Sequence, residues 1–299
     1  MQEIGRLLTA MVTPMDDEGK VDYAQARRLA QALVESGSHG VVISGTTGEA
    51  PTLSDEEKVR LVREVKEALG QRGTVVAGTG TYNTAHSIEL SREAQKAGAD
   101  ALLLVVPYYN RPSQDGLYEH FRAIAQAVDI PCILYNIPGR TALNMTAETT
   151  IRLSHVDNII GVKEASGDLV QISRILAEAR QGFLVWSGDD ALTLPIMAVG
   201  GYGVIAVTSH LVGGKMRAMM EAYLEGRVEE ARRLHLQLLP LMQALMTVAP
   251  NPCPIKWALN HVGFRVGRPR LPLVEPDPQG QERLRREIAR IQLDLKVPV

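Results

Sequence analysis

Lys163 is the residue whose type and place most directly suggest chemistry. It closes the apolar run Ile159-Ile160-Gly161-Val162. A side chain there is expected to be largely buried, and lysine is rarely buried unless it is paired or functional. Burial disfavours the ammonium form, and a neutral amine can attack a carbonyl carbon to give a Schiff base. The plainer alternative is a structural ion pair with Glu164 or another carboxylate. Position alone leaves the two open.

Other reactive types also stand at the ends of apolar runs. Gly45-Thr46-Thr47-Gly48-Glu49 brings two hydroxyls and closely spaced amides that can hold a carboxylate, although a tight turn accounts for it equally. Tyr135 and Arg140 flank Pro138. Such an arginine can grip a carboxylate with two parallel hydrogen bonds. A phenol can pass protons where a neighbour eases its ionisation, or it can simply pack with its hydroxyl satisfied. Gly78-Thr79-Gly80 lacks the rest of a dinucleotide fingerprint and reads as a turn. Asp189-Asp190 could bind Mg²⁺, but a cap on a helix beginning at Ala191 is the simpler reading. The 7 histidines show no ligand spacing, which suggests surface or capping roles and no metal site.

These groups need elements to aim them. Short β-branched runs at 7–12, 40–44, 74–78, 101–106, 132–136, 159–163, 184–187 and 203–207 alternate with amphipathic stretches. Most runs are continuously apolar, as strands covered on both faces should be. Helices are expected at 23–36, 55–69, 85–97, 116–127, 147–155, 169–179 and 191–198, with Ser54 and Thr146 as caps. Gly37, Gly70, Gly98 and Gly182 stand at helix ends. Eight strand–helix repeats predict a (β/α)8 barrel, with a doubly wound open sheet as the alternative. In such a barrel, reactive groups belong at the C-terminal strand ends, where Gly45–Glu49, Tyr135–Arg140, Lys163 and Asp189-Asp190 fall. From 215 onward only helices are expected, at 215–225, 228–248, 253–262 and 279–293, with the Pro-rich stretch 268–278 linking the last two. The division is therefore a barrel over 1–214 and a helical appendage over 215–299.

Composition narrows the function. The 299 residues carry 32 Lys+Arg against 34 Asp+Glu, a net charge of −2, which leaves no basic footprint for nucleic acid. With 2 Trp, 8 Tyr and 3 Phe, the core must be aliphatic. Cys132 and Cys253 show neither metal nor redox spacing and suggest free buried thiols in a reducing cytoplasm. The first twenty residues do not form a signal peptide, and no apolar stretch is long enough to span a membrane.

At these residues the chain resembles the pyruvate-dependent class I aldolase superfamily, which includes the dihydrodipicolinate synthase and N-acetylneuraminate lyase families. The resemblance runs over essentially the whole length. It is carried by Gly40-Val41-Val42-Ile43-Ser44-Gly45-Thr46-Thr47-Gly48-Glu49, by Tyr135-Asn136-Ile137-Pro138, and by Val162-Lys163-Glu164-Ala165. Pro107-Tyr108-Tyr109-Asn110-Arg111-Pro112, Gly139-Arg140-Thr141 and Asn251-Pro252-Cys253-Pro254-Ile255-Lys256 point to the dihydrodipicolinate synthase branch.

The resemblance implies that Lys163 forms a Schiff base with pyruvate, with no metal or organic cofactor. It implies that Tyr135, Thr46 and Tyr109 relay protons, Tyr109 in the site of an adjacent subunit of a homo-oligomer. Thr47, Ile205 and Gly188 would hold pyruvate, and Arg140 the carboxylate of an incoming L-aspartate 4-semialdehyde. The product would be 4-hydroxy-tetrahydrodipicolinate, on the route to diaminopimelate and lysine. A relative acting on a sugar acid is the near alternative, and a non-catalytic barrel the distant one. Asp55, Lys58, Tyr82 and His86 occupy the positions of the pocket that binds inhibitory lysine in some members. A cationic Lys58 and a missing Glu there imply weak or no feedback inhibition.

Overall fold

A computed structural model of the chain describes residues 4–297. Eight parallel strands close into a barrel in chain order: β1 (Leu7–Ala10), β2 (Gly40–Ile43), β3 (Thr74–Gly78), β4 (Ala101–Val105), β5 (Cys132–Asn136), β6 (Ile159–Glu164), β7 (Leu184–Ser187) and β8 (Gly203–Ala206). The ring is sealed by β1 pairing with β8. The open-sheet alternative is therefore excluded.

Alternation along the strands divides the core in two. Leu8, Val42, Val76, Leu103, Ile133, Tyr135, Trp186 and Ile205 fill the barrel interior as one buried cluster. Their neighbours, among them Val41, Leu134, Val162, Val185 and Val204, face outward into a larger cluster shared with the surrounding helices. This double burial explains why the strands read as continuous apolar runs. Gly161 makes room for the interior: a Cβ there would lie 2.8 Å from the Trp186 ring and 2.3 Å from the Leu184 carbonyl oxygen.

The outer helices follow the strands, from Tyr23–Glu35 after β1 to Ser209–Leu224 after β8. Ser54 caps Asp55–Leu69 in a reciprocal box with Glu57, and Thr146 caps Ala147–Leu153. The expected helix at 191–198 is instead a single 3₁₀ turn, Asp190–Leu192, followed by Thr193–Ala198. Asp189 caps that turn through the Ala191 amide. Asp190, expected to cap as well, turns away: its buried carboxylate accepts from the Val207 and Thr208 amides at the end of β8.

The expected surface or capping role also fails for two histidines. His210 is fully buried, accepting from the Val12 amide and facing the Val207 carbonyl through its other nitrogen. His120 is buried against Thr84. Burial drives both imidazoles down to about 4.

Past β8 the regular structure of the described residues is all helical: Val228–Thr247 packs on Ser209–Leu224 and on Pro278–Ala289, and Cys253–His261 touches all three. The division at 214/215 falls inside Ser209–Leu224. We propose it as the point where strand-bearing chain gives way to helix-only chain; its outer limits, 1 and 299, lie outside the described residues. Both cysteines are free and buried. No helix of the described residues is long and apolar enough to cross a membrane.

Candidate active site

The C-terminal ends of β5, β6 and β7 set the geometry. Tyr135 on β5 is the register partner of Lys163 on β6, which in turn partners Trp186 on β7. Since Val162 and Glu164 face outward, Lys163 points into the barrel with Tyr135 and Trp186. Its side chain is 6% exposed. Its Nζ lies 4.3 Å from the centre of the Tyr135 ring, and it makes no ion pair among the described residues. The structural pair with Glu164 is therefore not formed.

Glu164 lies on the other face of β6 and is fully buried there. It accepts from Asn136 Nδ2 at 3.1 Å, from the Ser166 amide at 2.7 Å and from Gln171 Nε2 at 3.3 Å. Burial pushes its carboxyl above the usual range, against the pull of these donors. Asn136 also donates to Asn144 and accepts from the Met145 amide. This network pins the ends of β5 and β6, and with them the backbone that carries Tyr135 and Lys163.

Gly188, the residue after β7, donates its amide to the Glu164 carbonyl at 2.8 Å. A Cβ there would fall 2.6 Å from the Ala165 side chain, so the strand end closes this tightly only with glycine. Ile205 sits inside the barrel on β8, 1% exposed.

Tyr135 also lines a cavity of about 350 Å³, together with Thr46, Glu49, Tyr108, Arg140 and Asn251, among others. Arg140 is exposed on the short helix Pro138–Thr141 and donates to the Asn251 carbonyl at 3.4 Å. Thr47 is 2% exposed, and its hydroxyl accepts from Asn251 Nδ2 at 2.9 Å. Thr46, Tyr135 and Arg140 thus share one cavity, while Lys163, Ile205 and Gly188 lie at the strand ends and do not line it.

Tyr109 stands apart. It is 94% exposed, with a left-handed φ of 72°, and lies outside the cavity. Its neighbour Tyr108 lines the cavity and packs edge-on against Tyr82 at 5.3 Å.

Two contributions from the appendage were not foreseen. Asn251 and Lys256 enter the sequence reading only as parts of a motif, yet they bind Thr47 and Glu49 in the turn after β2. Lys256 Nζ reaches Glu49 at 2.7 Å with both side chains at 0% exposure. Pro272 and Leu273, inside a stretch that reads as a Pro-rich link, line the cavity. The pairing of Glu49 with Lys256 has no local signal, since 207 residues separate them. No group of three or more His, Cys, Asp or Glu among the described residues is placed to hold a metal ion.

Residues 3–291 match the Dihydrodipicolinate synthetase family. The chain is 58% identical over 280 residues to the 4-hydroxy-tetrahydrodipicolinate synthase of Moorella thermoacetica, covering 94% of this chain and 96% of that one. Among solved structures, dihydrodipicolinate synthase DapA-2 of Bacillus anthracis superposes with a TM-score of 0.95 at 43% identity, over 98% of this chain and 100% of that one. The enzyme of Cyanidioschyzon merolae, solved with lysine bound, gives a TM-score of 0.94 at 45% identity, over 96% and 98% of the two chains.

Proposed function

The chain belongs to the dihydrodipicolinate synthetase family, and from that premise we propose the residue-level course of its reaction. The activity is that of a 4-hydroxy-tetrahydrodipicolinate synthase, a Schiff-base lyase of lysine and diaminopimelate biosynthesis. The observation that carries the residue assignment is Lys163: an amine buried inside the barrel, against a tyrosine ring and without a carboxylate partner.

The amine of Lys163 adds to the ketone carbon of pyruvate, and loss of water gives an iminium. The positive nitrogen draws electrons from the adjacent methyl group, which loses a proton and leaves an enamine. Thr47, with the strand-end backbone at Gly188 and Ile205, holds the pyruvate carboxylate. Tyr135, over Lys163, moves the protons of these steps through Thr46. Tyr109 completes the relay in the site of a neighbouring copy, which accounts for an exposed tyrosine in a strained backbone conformation and makes the working form a homo-oligomer.

The enamine carbon then attacks the aldehyde of L-aspartate 4-semialdehyde, whose carboxylate Arg140 holds at the cavity edge. The amino group of the adduct displaces Lys163 by transimination. Ring closure releases 4-hydroxy-tetrahydrodipicolinate. The covalent imine supplies the electron sink, so the scheme uses neither metal nor organic cofactor, and the soluble substrates suit a cytoplasmic enzyme.

Borohydride reduction in the presence of pyruvate tests the assignment. It should add a single pyruvate-derived mass on the peptide containing Lys163, and turnover with aspartate semialdehyde should be read through a coupled downstream reductase. Labelling elsewhere, or none, overturns it.

A further inference from the structure

Between the helices Cys253–His261 and Pro278–Ala289 the chain runs past the cavity and lends Pro272 and Leu273 to its lining. This segment is held at two points, Arg268 and Arg270. Lys256 Nζ donates to the Arg268 carbonyl at 3.0 Å and to Glu49 at 2.7 Å. The Arg270 amide donates to the other Glu49 oxygen at 2.8 Å. The Arg270 guanidinium spans both oxygens of Glu57 at 2.6 and 2.8 Å and also reaches the Thr52 and Gly19 carbonyls.

This is dense fixing for a segment without regular structure, and surface links ordinarily lack it. Its result is local. Leu271 points to solvent at 78% exposure, while Pro272 and Leu273 line the cavity that Arg140 and Tyr135 also line.

We propose that residues 268–273 are a strap forming the outer wall of the acceptor half of the active site. Pro272 and Leu273 act as specificity-determining side chains, and the buried Glu49–Lys256 pair acts as the positioning device. The inference rests on the reading above that Arg140 marks the acceptor side. The two wall side chains carry no hydrogen-bonding group. A short aldehyde anchored at Arg140 packs against them, whereas a polyhydroxylated aldehyde would press its hydroxyls onto apolar surface without partners. The strap thus selects for small acceptors and against sugar-derived ones, and it does not touch the pyruvate floor at Lys163.

The test separates the two substrates. In L273A, KM for aspartate semialdehyde should rise about three- to tenfold, while pyruvate KM and borohydride trapping of pyruvate on Lys163 stay at wild-type levels. L273N should gain condensation with erythrose relative to the wild type, measured side by side. The double variant E49Q/K256M removes both buried charges together, so it leaves no lone ion to unfold the chain. It should show the same one-sided rise in aldehyde KM through a loosened strap.

Equal rises in both KM values would place the pair's effect on the Thr46–Thr47 turn and overturn the strap. So would an L273A enzyme with unchanged aldehyde KM. Failure of the wild type to be trapped by pyruvate and borohydride would instead strike the functional reading itself.

Discussion

The chain buries two lysines in opposite ways. Lys256 is fully enclosed, and its ammonium is spoken for: Glu49 at 2.7 Å, the Arg268 carbonyl at 3.0 Å. Burial lowers its pKa, and the Glu49 carboxylate opposes that shift. Lys163 is nearly as buried, but it faces a tyrosine ring at 4.3 Å with no ion pair among the described residues. The fixing that Lys163 lacks is given to its neighbour, since Glu164 one residue on is held by Asn136, Ser166 and Gln171. A buried amine with its donors occupied is a fastener. A buried amine held only through its backbone keeps its nitrogen available for bond formation. The difference lies in partners, not in depth.

The sharpest break of this comparison is to remove each amine in turn. K163A and K163R should both lose at least about 10⁴-fold in kcat/KM, because neither side chain can form the imine. Both should melt close to wild type, since no ion pair is lost. Retained turnover in K163R would show that charge at this position, rather than nucleophilic attack, is what matters.

Lys256 should show the converse. K256M leaves the Glu49 carboxylate buried without its cation, which should cost about 3–5 kcal/mol in denaturant unfolding. E49Q/K256M should recover most of that loss, because neutral side chains of similar volume replace the whole pair. A K256M protein as stable as wild type would mean that water reaches Glu49, and Lys256 would then be no fastener.

His210 extends the comparison to a buried base whose ring meets two backbone groups. Its folded pKa of about 4 lies below the ordinary 6.5. Between those values the unfolded chain binds more protons than the folded one, so stability falls as pH drops from 6.5 toward 4. A shift of that size corresponds to roughly 3 kcal/mol at full titration. Urea unfolding at pH 7 and at pH 4.5 should show this loss, and H210Q should flatten much of it. An unchanged pH slope in H210Q would assign the loss to other groups such as His120.

What the sequence made legible follows from which signals are local. The strands Thr74–Gly78, Cys132–Asn136 and Leu184–Ser187 keep their expected limits because a run covered on both faces stays apolar to its last residue. Lys163 stands out because it closes such a run with a charged side chain. The capping signal at Asp190 names the wrong partner, because its carboxylate serves the Val207 and Thr208 amides just past β8, 17 and 18 residues further on. His210 was misread for the same reason, since Val12 lies 198 residues away. The strap at 268–273 was invisible: a Pro-rich stretch reads as a link, and its anchors Glu49 and Glu57 are more than 200 residues upstream. Periodicity reports which face is buried, not which partner waits there.

The smallest expected effect concerns a third lysine, intermediate between the other two. Lys58 has a side chain only 11% exposed and donates to Asp55 at 3.2 Å, but Asp55 itself is 46% exposed. The other Asp55 oxygen is taken by His86 at 2.6 Å. Burial raises the Asp55 carboxyl, but the hydrogen bonds from His86 and Lys58 outweigh that and hold it below the usual range. A free lysine arriving here would meet a carboxylate with both oxygens occupied and a fixed cation beside it. Added lysine should therefore leave turnover unchanged through the sub-millimolar range. In K58A the freed carboxylate should tighten lysine binding only modestly, by less than about fivefold, since a half-exposed pair is worth about 1 kcal/mol at most. A sub-millimolar half-effect in the wild type would show that Lys58 swings away and that its pairing, unlike that of Lys256, does not hold the side chain in place.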